Sequence, residues 1–201
     1  MLKIYHAKGL RSVRVIWLCE EMGVSYETIP ASFMQPSEEF KALNPLRTIP
    51  VLVDGDTVMI ESIAMLLYVM GKYGPTDLAL DPSDPDYGAY LQFLMFGEAA
   101  LATFCGPLIG TRMLAPDDQK ENFTVGLLRK SITRRLKYVG QQLDHTPYLA
   151  GGRFTAADIS VVYAIDLANV VGLGDAIPSV VKDYRTRIGE RPAFQKAMAC
   201  D

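Results

Sequence analysis

Between residues 74 and 86 the chain breaks its own pattern. Gly74-Pro75-Thr76-Asp77 and Asp81-Pro82-Ser83-Asp84-Pro85-Asp86 concentrate the residues that stop helices and favour turns. Before this break strand and helix patterns alternate, and after it strand signals vanish and helical periodicity takes over. The reading is an α/β domain at 1–76, a linker at 77–86 and an all-helical domain at 87–201.

The first domain opens with the alternating strand pattern Leu2-Lys3-Ile4-Tyr5-His6 and a turn at Ala7-Lys8-Gly9-Leu10. From Ser12 a helix apolar on most sides runs to Gly23, followed by a short strand, Val24-Ser25-Tyr26-Glu27-Thr28-Ile29. Strand, helix and strand in that order predict a right-handed unit with parallel strands. A short helix follows from Glu38 to Leu43, then two strands, then a helix from Ser62 to about residue 72. The predicted order is βαβαββα.

The stretch Asn44–Ser62 carries the strongest functional signal. Pro50 lacks an N–H for a sheet ladder and so belongs at the first residue of a strand. A cis peptide there costs only about 0.5–1 kcal/mol for an X-Pro bond. It turns the Ile49 backbone N–H and C=O outward, toward an extended peptide-like ligand. Eleven residues later, Glu61-Ser62 stands where a helix begins, and free N–H groups with roughly half a unit of positive charge suit a ligand carboxylate there. Glu61 beside them suits an ammonium group. Together these describe a site for a short zwitterionic peptide.

Thr48-Ile49-Pro50-Val51-Leu52, followed at this spacing by Glu61-Ser62, resembles the glutathione-binding half of the cytosolic glutathione transferases. That family joins a thioredoxin-like domain to a helical bundle, so the resemblance implies both halves of this fold. The second half carries its own mark. In Thr155-Ala156-Ala157-Asp158, Thr155 and Asp158 form a reciprocal helix cap with Phe154 and Ile159 as its staple, a box similar to that of the transferase helical domain. The resemblance implies a detoxifying enzyme with glutathione as co-substrate, no metal, and a homodimeric assembly.

Carried over residue by residue, Glu61 and Ser62 hold the γ-glutamyl end of glutathione, Ile49 through Pro50 holds its cysteinyl backbone, Thr48 counts among the glutathione contacts, and Arg47 reads either as an aid to the glycyl carboxylate or as a solvated loop residue. The chemistry then needs a thiolate. Moving a thiol two units below its usual pKa of about 8.5 takes roughly 2.7 kcal/mol. One hydrogen bond to a charged acceptor, about 1.5–3 kcal/mol, together with a helix N-terminus, about 0.3–1 kcal/mol, suffices. Ser12 and Tyr5 are the catalytic candidates, with Arg11 as a charge that attracts the thiolate or a carboxylate. Ser12 stands a residue or more later, relative to Arg14, than the hydroxyl of serine-type transferases. Phe96, Ala100, Phe104, Pro107 and Leu108 form an apolar stripe that reads either as a wall for the electrophile or as ordinary helix core. Disulfide reduction, dehalogenation, ether cleavage and isomerisation fit the same site, and a non-catalytic interaction module keeps the same fold.

Composition removes other classes. Of 201 residues, 49% are hydrophobic and 21% charged, and the net charge of −3 argues against nucleic acid or an anionic membrane as partner. The basic run Arg129 to Lys137 reads as a solvated face or dimer rim. No apolar run is read as long enough to span a bilayer, and no leader is recognised. Cys19, Cys105 and Cys200 lack any Cys-x-x-Cys, which fits reduced thiols in a cytoplasm. His6 and His145 are too isolated for a metal cluster. Helices are expected over Tyr87 to about Leu114, bent at Gly106-Pro107, and over Asp117–Leu143.

Overall fold

The structure, a computed structural model, describes residues Met1–Cys200. Its first part has the order β1 (Leu2–His6), α1 (Ser12–Met22), β2 (Tyr26–Pro30), α2 (Glu38–Leu43), β3 (Val51–Asp54), β4 (Thr57–Met59) and α3 (Ser62–Tyr73). This is the predicted βαβαββα sequence. The sheet order is β2-β1-β3-β4. β1 runs parallel to β2, with Leu2 opposite Tyr26 and His6 opposite Pro30, and β3 is antiparallel to both β1 and β4. The β3–β4 hairpin turns on Gly55, whose φ of +60° suits the first central position of a two-residue loop. α1 stops at Gly23 (φ +66°), where the Val24 N–H bonds to the Cys19 carbonyl and the Gly23 N–H to that of Glu20, closing the last turn.

The chain forms two compact units, Leu80–Ile188 and the remainder, so that residues from Gly189 onward return to the first. The returning helix, α9 (Pro192–Ala199), lies on α1. Trp17 meets Phe194 edge-on at 4.8 Å, Arg191 grips both Glu21 oxygens at 2.7 Å, and Lys196 reaches Glu20 at 2.7 Å. A helix covered on one side by a sheet and on another by a helix must be apolar all round. Val13, Val15, Ile16, Trp17, Leu18 and Cys19 are accordingly all buried.

The second unit is helical: α4 (Tyr87–Met95), α5 (Thr103–Leu114), α6 (Phe123–Leu143), α7 (Ala156–Ala168) and α8 (Ser179–Gly189). α4 and α5 are joined by a π-helical segment, Phe96–Ala102, while Pro107 sits inside α5. The irregularity therefore falls a turn or more ahead of the expected bend. Its physical cause is α7: the Ser160 hydroxyl donates to the Leu94 carbonyl at 2.7 Å, drawing it from the helical ladder. Gly97 makes room, since a Cβ there would meet Ser160 Oγ at 2.3 Å. α6 begins later than expected, because Asn122 caps it by accepting from the Val125 N–H at 3.0 Å; Asp117–Gln119 form a separate 3₁₀ turn.

Contrary to the sequence expectation, two helical stretches, Tyr87–Leu114 and Ala156–Ala176, are long and apolar enough to cross a membrane by length and composition. The second is mostly buried as the centre of the bundle. It starts at the anticipated cap, where Asp158 is fully buried and accepts from the Thr155 N–H (2.8 Å), the Leu149 N–H (3.1 Å), the Thr155 hydroxyl (3.2 Å) and the Tyr184 hydroxyl (2.7 Å). Asp158 thus ties the loop before α7 to α8 as well as capping a helix.

Removing this carboxylate strands several buried donors, each worth about 1–3 kcal/mol when left unsatisfied. Asp158→Ala is expected to lower unfolding free energy in urea by at least about 3 kcal/mol. A loss below about 1 kcal/mol, the size of a simple cap, would contradict this account.

Candidate functional site

Three loops of the first unit share one footing. Tyr5, Phe40, Ile49 and Val51 form a buried apolar cluster, and Leu10 from the β1–α1 loop and Ile60 from the β4–α3 junction pack against it. Ile49 itself belongs to the α2–β3 loop. Burial of these side chains fixes the three loops to one another, because displacing any of them exposes apolar surface at roughly 25 cal/mol per Å².

The α2–β3 loop is held by Asn44, which is buried. Its Nδ2 donates to the Thr48 carbonyl (2.8 Å) and hydroxyl (3.1 Å), its Oδ1 accepts from the Leu46 N–H (3.0 Å), and its carbonyl accepts from the Arg47 N–H (3.0 Å). Within this frame Arg47 is exposed with φ +57°, Thr48 is exposed, and the Ile49-Pro50 peptide is cis. Asn44 received no role from the sequence, although Asn-Pro is itself a turn signal.

At the head of α3, Glu61 is exposed and has φ +79°, and its side chain makes no capping bond. Arg47 and Glu61 are the two non-glycine residues with positive φ among the described residues. Such conformations cost about 1–3 kcal/mol each and persist where the surroundings impose them. Ser62 next to Glu61 is buried and its Oγ accepts from Arg14 Nη1 at 3.2 Å, Arg14 being fully buried in α1. Since that bond uses a lone pair, the Ser62 O–H remains able to donate. Arg14, a match to the family pattern only at the sequence level, thereby proves to place a permanent positive charge beneath the start of α3.

Both catalytic candidates have their hydroxyls engaged by other side chains. Ser12 is buried, with Oγ 2.8 Å from His6 Nδ1. His6 Nε2 lies 3.2 Å from the Cys200 carbonyl, and Ser12 Oγ also donates to the Ala7 carbonyl at 3.4 Å. Tyr5 is also buried, and its hydroxyl donates to Glu39 at 2.7 Å. Burial, reinforced by that carboxylate, pushes the Tyr5 phenol up to about 12, opposite to what an activated phenol needs. Arg11 stands half-buried at the cap position of α1. Burial pushes the Cys19 thiol up to about 12 as well, so it is inert as a nucleophile near neutral pH.

In the second unit the stripe Phe96, Phe104 and Leu108 faces α6. Phe96 packs on Tyr138 (5.6 Å), the Arg135 guanidinium covers Phe104 at 4.0 Å, and Leu108 shares a cavity wall with Val125 and Arg129. Ala100 is half-buried and Pro107 exposed. The stripe serves packing within the unit along most of its length.

Residues 11–70 match the family described as glutathione S-transferase, N-terminal domain, and residues 109–200 that described as glutathione S-transferase, C-terminal domain. Glutathione S-transferase 3 of Schizosaccharomyces pombe is 28% identical over 212 residues, 98% of this chain and 86% of that protein. Glutathione S-transferase F10 of Arabidopsis thaliana is 31% identical over 171 residues, covering 80% of this chain and 77% of its own length. The glutathione transferase URE2P6 from Phanerochaete chrysosporium, solved in complex with oxidized glutathione, has a TM-score of 0.84 at 25% identity and covers 98% of this chain and 94% of its own.

Asn44→Ala removes the bonds that shape the α2–β3 loop and is expected to cost about 1–3 kcal/mol. Hydrogen exchange should accelerate at the amides of residues 46–49 and stay unchanged in the second unit; uniform acceleration would assign Asn44 to global stability instead.

Proposed function

This chain belongs to the glutathione S-transferase family, and on that premise we propose that it binds glutathione along its first unit and directs the tripeptide's thiolate at a small apolar electrophile. The Ser62 hydroxyl and the N-terminus of α3 receive the γ-glutamyl carboxylate, with the Arg14 charge below, and Glu61 takes the γ-glutamyl ammonium. The Ile49 backbone pairs with the cysteinyl residue beside Pro50. Arg47 and Thr48 meet the glycyl carboxylate.

The observation that carries this reading is Glu61: an exposed carboxylate held in a costly backbone conformation at a helix start, where it serves no cap. A structural role alone gives no reason to keep such a residue there. Its charge next to the α3 N-terminus and Ser62 makes a pair of opposite anchors at one spot, matched to the amino-acid end of a zwitterion.

For the sulfur, the side-chain bonds that already engage the Ser12 and Tyr5 hydroxyls favour the mouth of α1 over either hydroxyl. Arg11 and the α1 N-terminus stabilise the thiolate there, a charge-assisted bond of about 1.5–3 kcal/mol plus about 0.3–1 kcal/mol from the helix. The glutathione S–H loses its proton to solvent, the sulfur lone pair forms the C–S bond, and the electrophile either expels its leaving group or accepts a proton at the neighbouring atom. The same reading proposes a homodimer acting in the cytoplasm in detoxification, in keeping with three free cysteines.

Two outcomes test it. Glu61→Gly should raise stability, because glycine adopts φ +79° without strain, while weakening glutathione binding in calorimetry by tenfold or more; unchanged binding would remove Glu61 from the site. Arg11→Ala should raise the pKa of bound glutathione, followed by thiolate ultraviolet absorbance, by about one unit. Ser12→Ala should leave that pKa within a few tenths, and the reverse ranking would return activation to the hydroxyl.

A further inference from the structure

Helix α6 carries the cations Arg129, Lys130, Arg134, Arg135 and Lys137 and no carboxylate. They divide into two sets. Arg129 is paired with Glu121 at 2.8 Å, and Arg135 lies over the Phe104 ring and donates to the Ser131 carbonyl. Lys130, Arg134 and Lys137 are exposed, and their side chains have no hydrogen bond, ion pair or ring contact among the described residues. At about 100° per residue these three fall within about 60° of one another around the helix, and Phe123 and Leu127 continue the same stripe toward its N-terminus.

The apolar end of the stripe has neighbours. Leu108 of α5 shares a cavity wall with Val125 and Arg129, Phe104 meets Arg135, and Phe96 packs on Tyr138, so α6 runs back antiparallel along the helices before it. Met113 and Leu114, the last residues of α5, therefore stand at the same end of the hairpin as Phe123 and Leu127. Leu114 is 83% exposed, Phe123 81%, Met113 62% and Leu127 49%. Large apolar side chains gathered in the open at one place mark an interaction surface. Nor do carboxylates cancel the cations beside them: Asp117 is taken by Lys120 and Glu121 by Arg129, while Asp118 and Asp144 lie beyond the two ends of the helix.

We propose that this face of the second unit docks on an anionic lipid leaflet. The apolar side chains at the hairpin end enter the boundary between headgroups and acyl chains, and Lys130, Arg134 and Lys137 lie against the lipid phosphates and carboxylates. A leaflet meets both halves of the stripe at once. A soluble polyanion would pair with the cations and leave Met113, Leu114 and Leu127 in water. The net charge of −3, which speaks against an anionic membrane when the chain is taken as a whole, is an average over all faces. Charges are screened beyond about 8 Å at physiological salt, so a leaflet responds to the face that it touches. The docking is peripheral and does not depend on glutathione.

Flotation of the full chain with two kinds of vesicle tests this, one of phosphatidylcholine alone and one of phosphatidylcholine and phosphatidylserine in equal parts. Binding to the mixed vesicles is expected at physiological salt, at least about tenfold weaker on phosphatidylcholine alone and falling steeply at high salt. Each cation near such a leaflet strengthens binding about fivefold, so Lys130→Gln, Arg134→Gln and Lys137→Gln combined should weaken it roughly a hundredfold. Leu114→Ser with Phe123→Ser should weaken it by about tenfold or more. All five positions are exposed, so both variants should keep the melting temperature of the parent chain. No binding to the mixed vesicles, equal binding to both kinds, or a triple variant that binds unchanged overturns the proposal. Heparin bound as tightly as the mixed vesicles, and unaffected by Leu114→Ser with Phe123→Ser, would assign the face to a soluble polyanion; a lower oligomeric state of the triple variant in sedimentation equilibrium would assign it to a second copy of the chain, and either result also overturns it.

Discussion

A buried guanidinium governs the first unit. Arg14 has no solvent exposure and donates to Ser62, joining the core helix α1 to the head of α3. Burying a charge costs several kcal/mol unless hydrogen bonds repay it, so a fold keeps one only where the position matters. Here the charge fixes the helix start, leaves the Ser62 proton free to donate outward, and raises the potential at the point where a carboxylate would sit.

The same unit holds the strained non-glycine backbone of the described residues on two of its loops. Arg47 and Glu61 hold left-handed φ values although glycine would hold them without cost, and both stand on loops that rise from one apolar cluster. The cluster and the Asn44 hydrogen bonds supply the stability against which the strain is set. A rigid base carrying exposed, strained, charged residues is the arrangement expected of a site that recognises a ligand by fixed geometry.

In the second unit one carboxylate and one hydroxyl set the helix arrangement. Asp158 gathers the loop before α7, the cap and α8, while Ser160 on the next turn bends the α4–α5 run into its π-helical segment. Each i→i+5 turn takes up about one residue more than an α-turn, so the faces presented before and after the segment no longer follow one helical wheel. That shift explains why Phe96, Phe104 and Leu108, aligned as one stripe in the sequence, end against different parts of α6.

The sequence by itself determined the element order of the first unit, the cap at Thr155–Asp158 and the family, because each is written in short-range pattern: period-two and period-3.6 apolarity, turn residues, and motifs at fixed spacing. It also singled out the stretch on which the strained Arg47 and Glu61 and the cis Ile49-Pro50 peptide lie. Tertiary structure alone decided which way the hydroxyls point. Ser12 faces His6 in the core, and Tyr5 donates to the exposed Glu39, because partners 6 and 34 residues away engage their hydroxyls. It likewise decided that α9 returns to α1, through Trp17–Phe194 and Glu21–Arg191, and that Arg14 lies under Ser62. Local pattern encodes which face of an element is buried; what lies opposite that face is fixed only when distant segments compete for the same space.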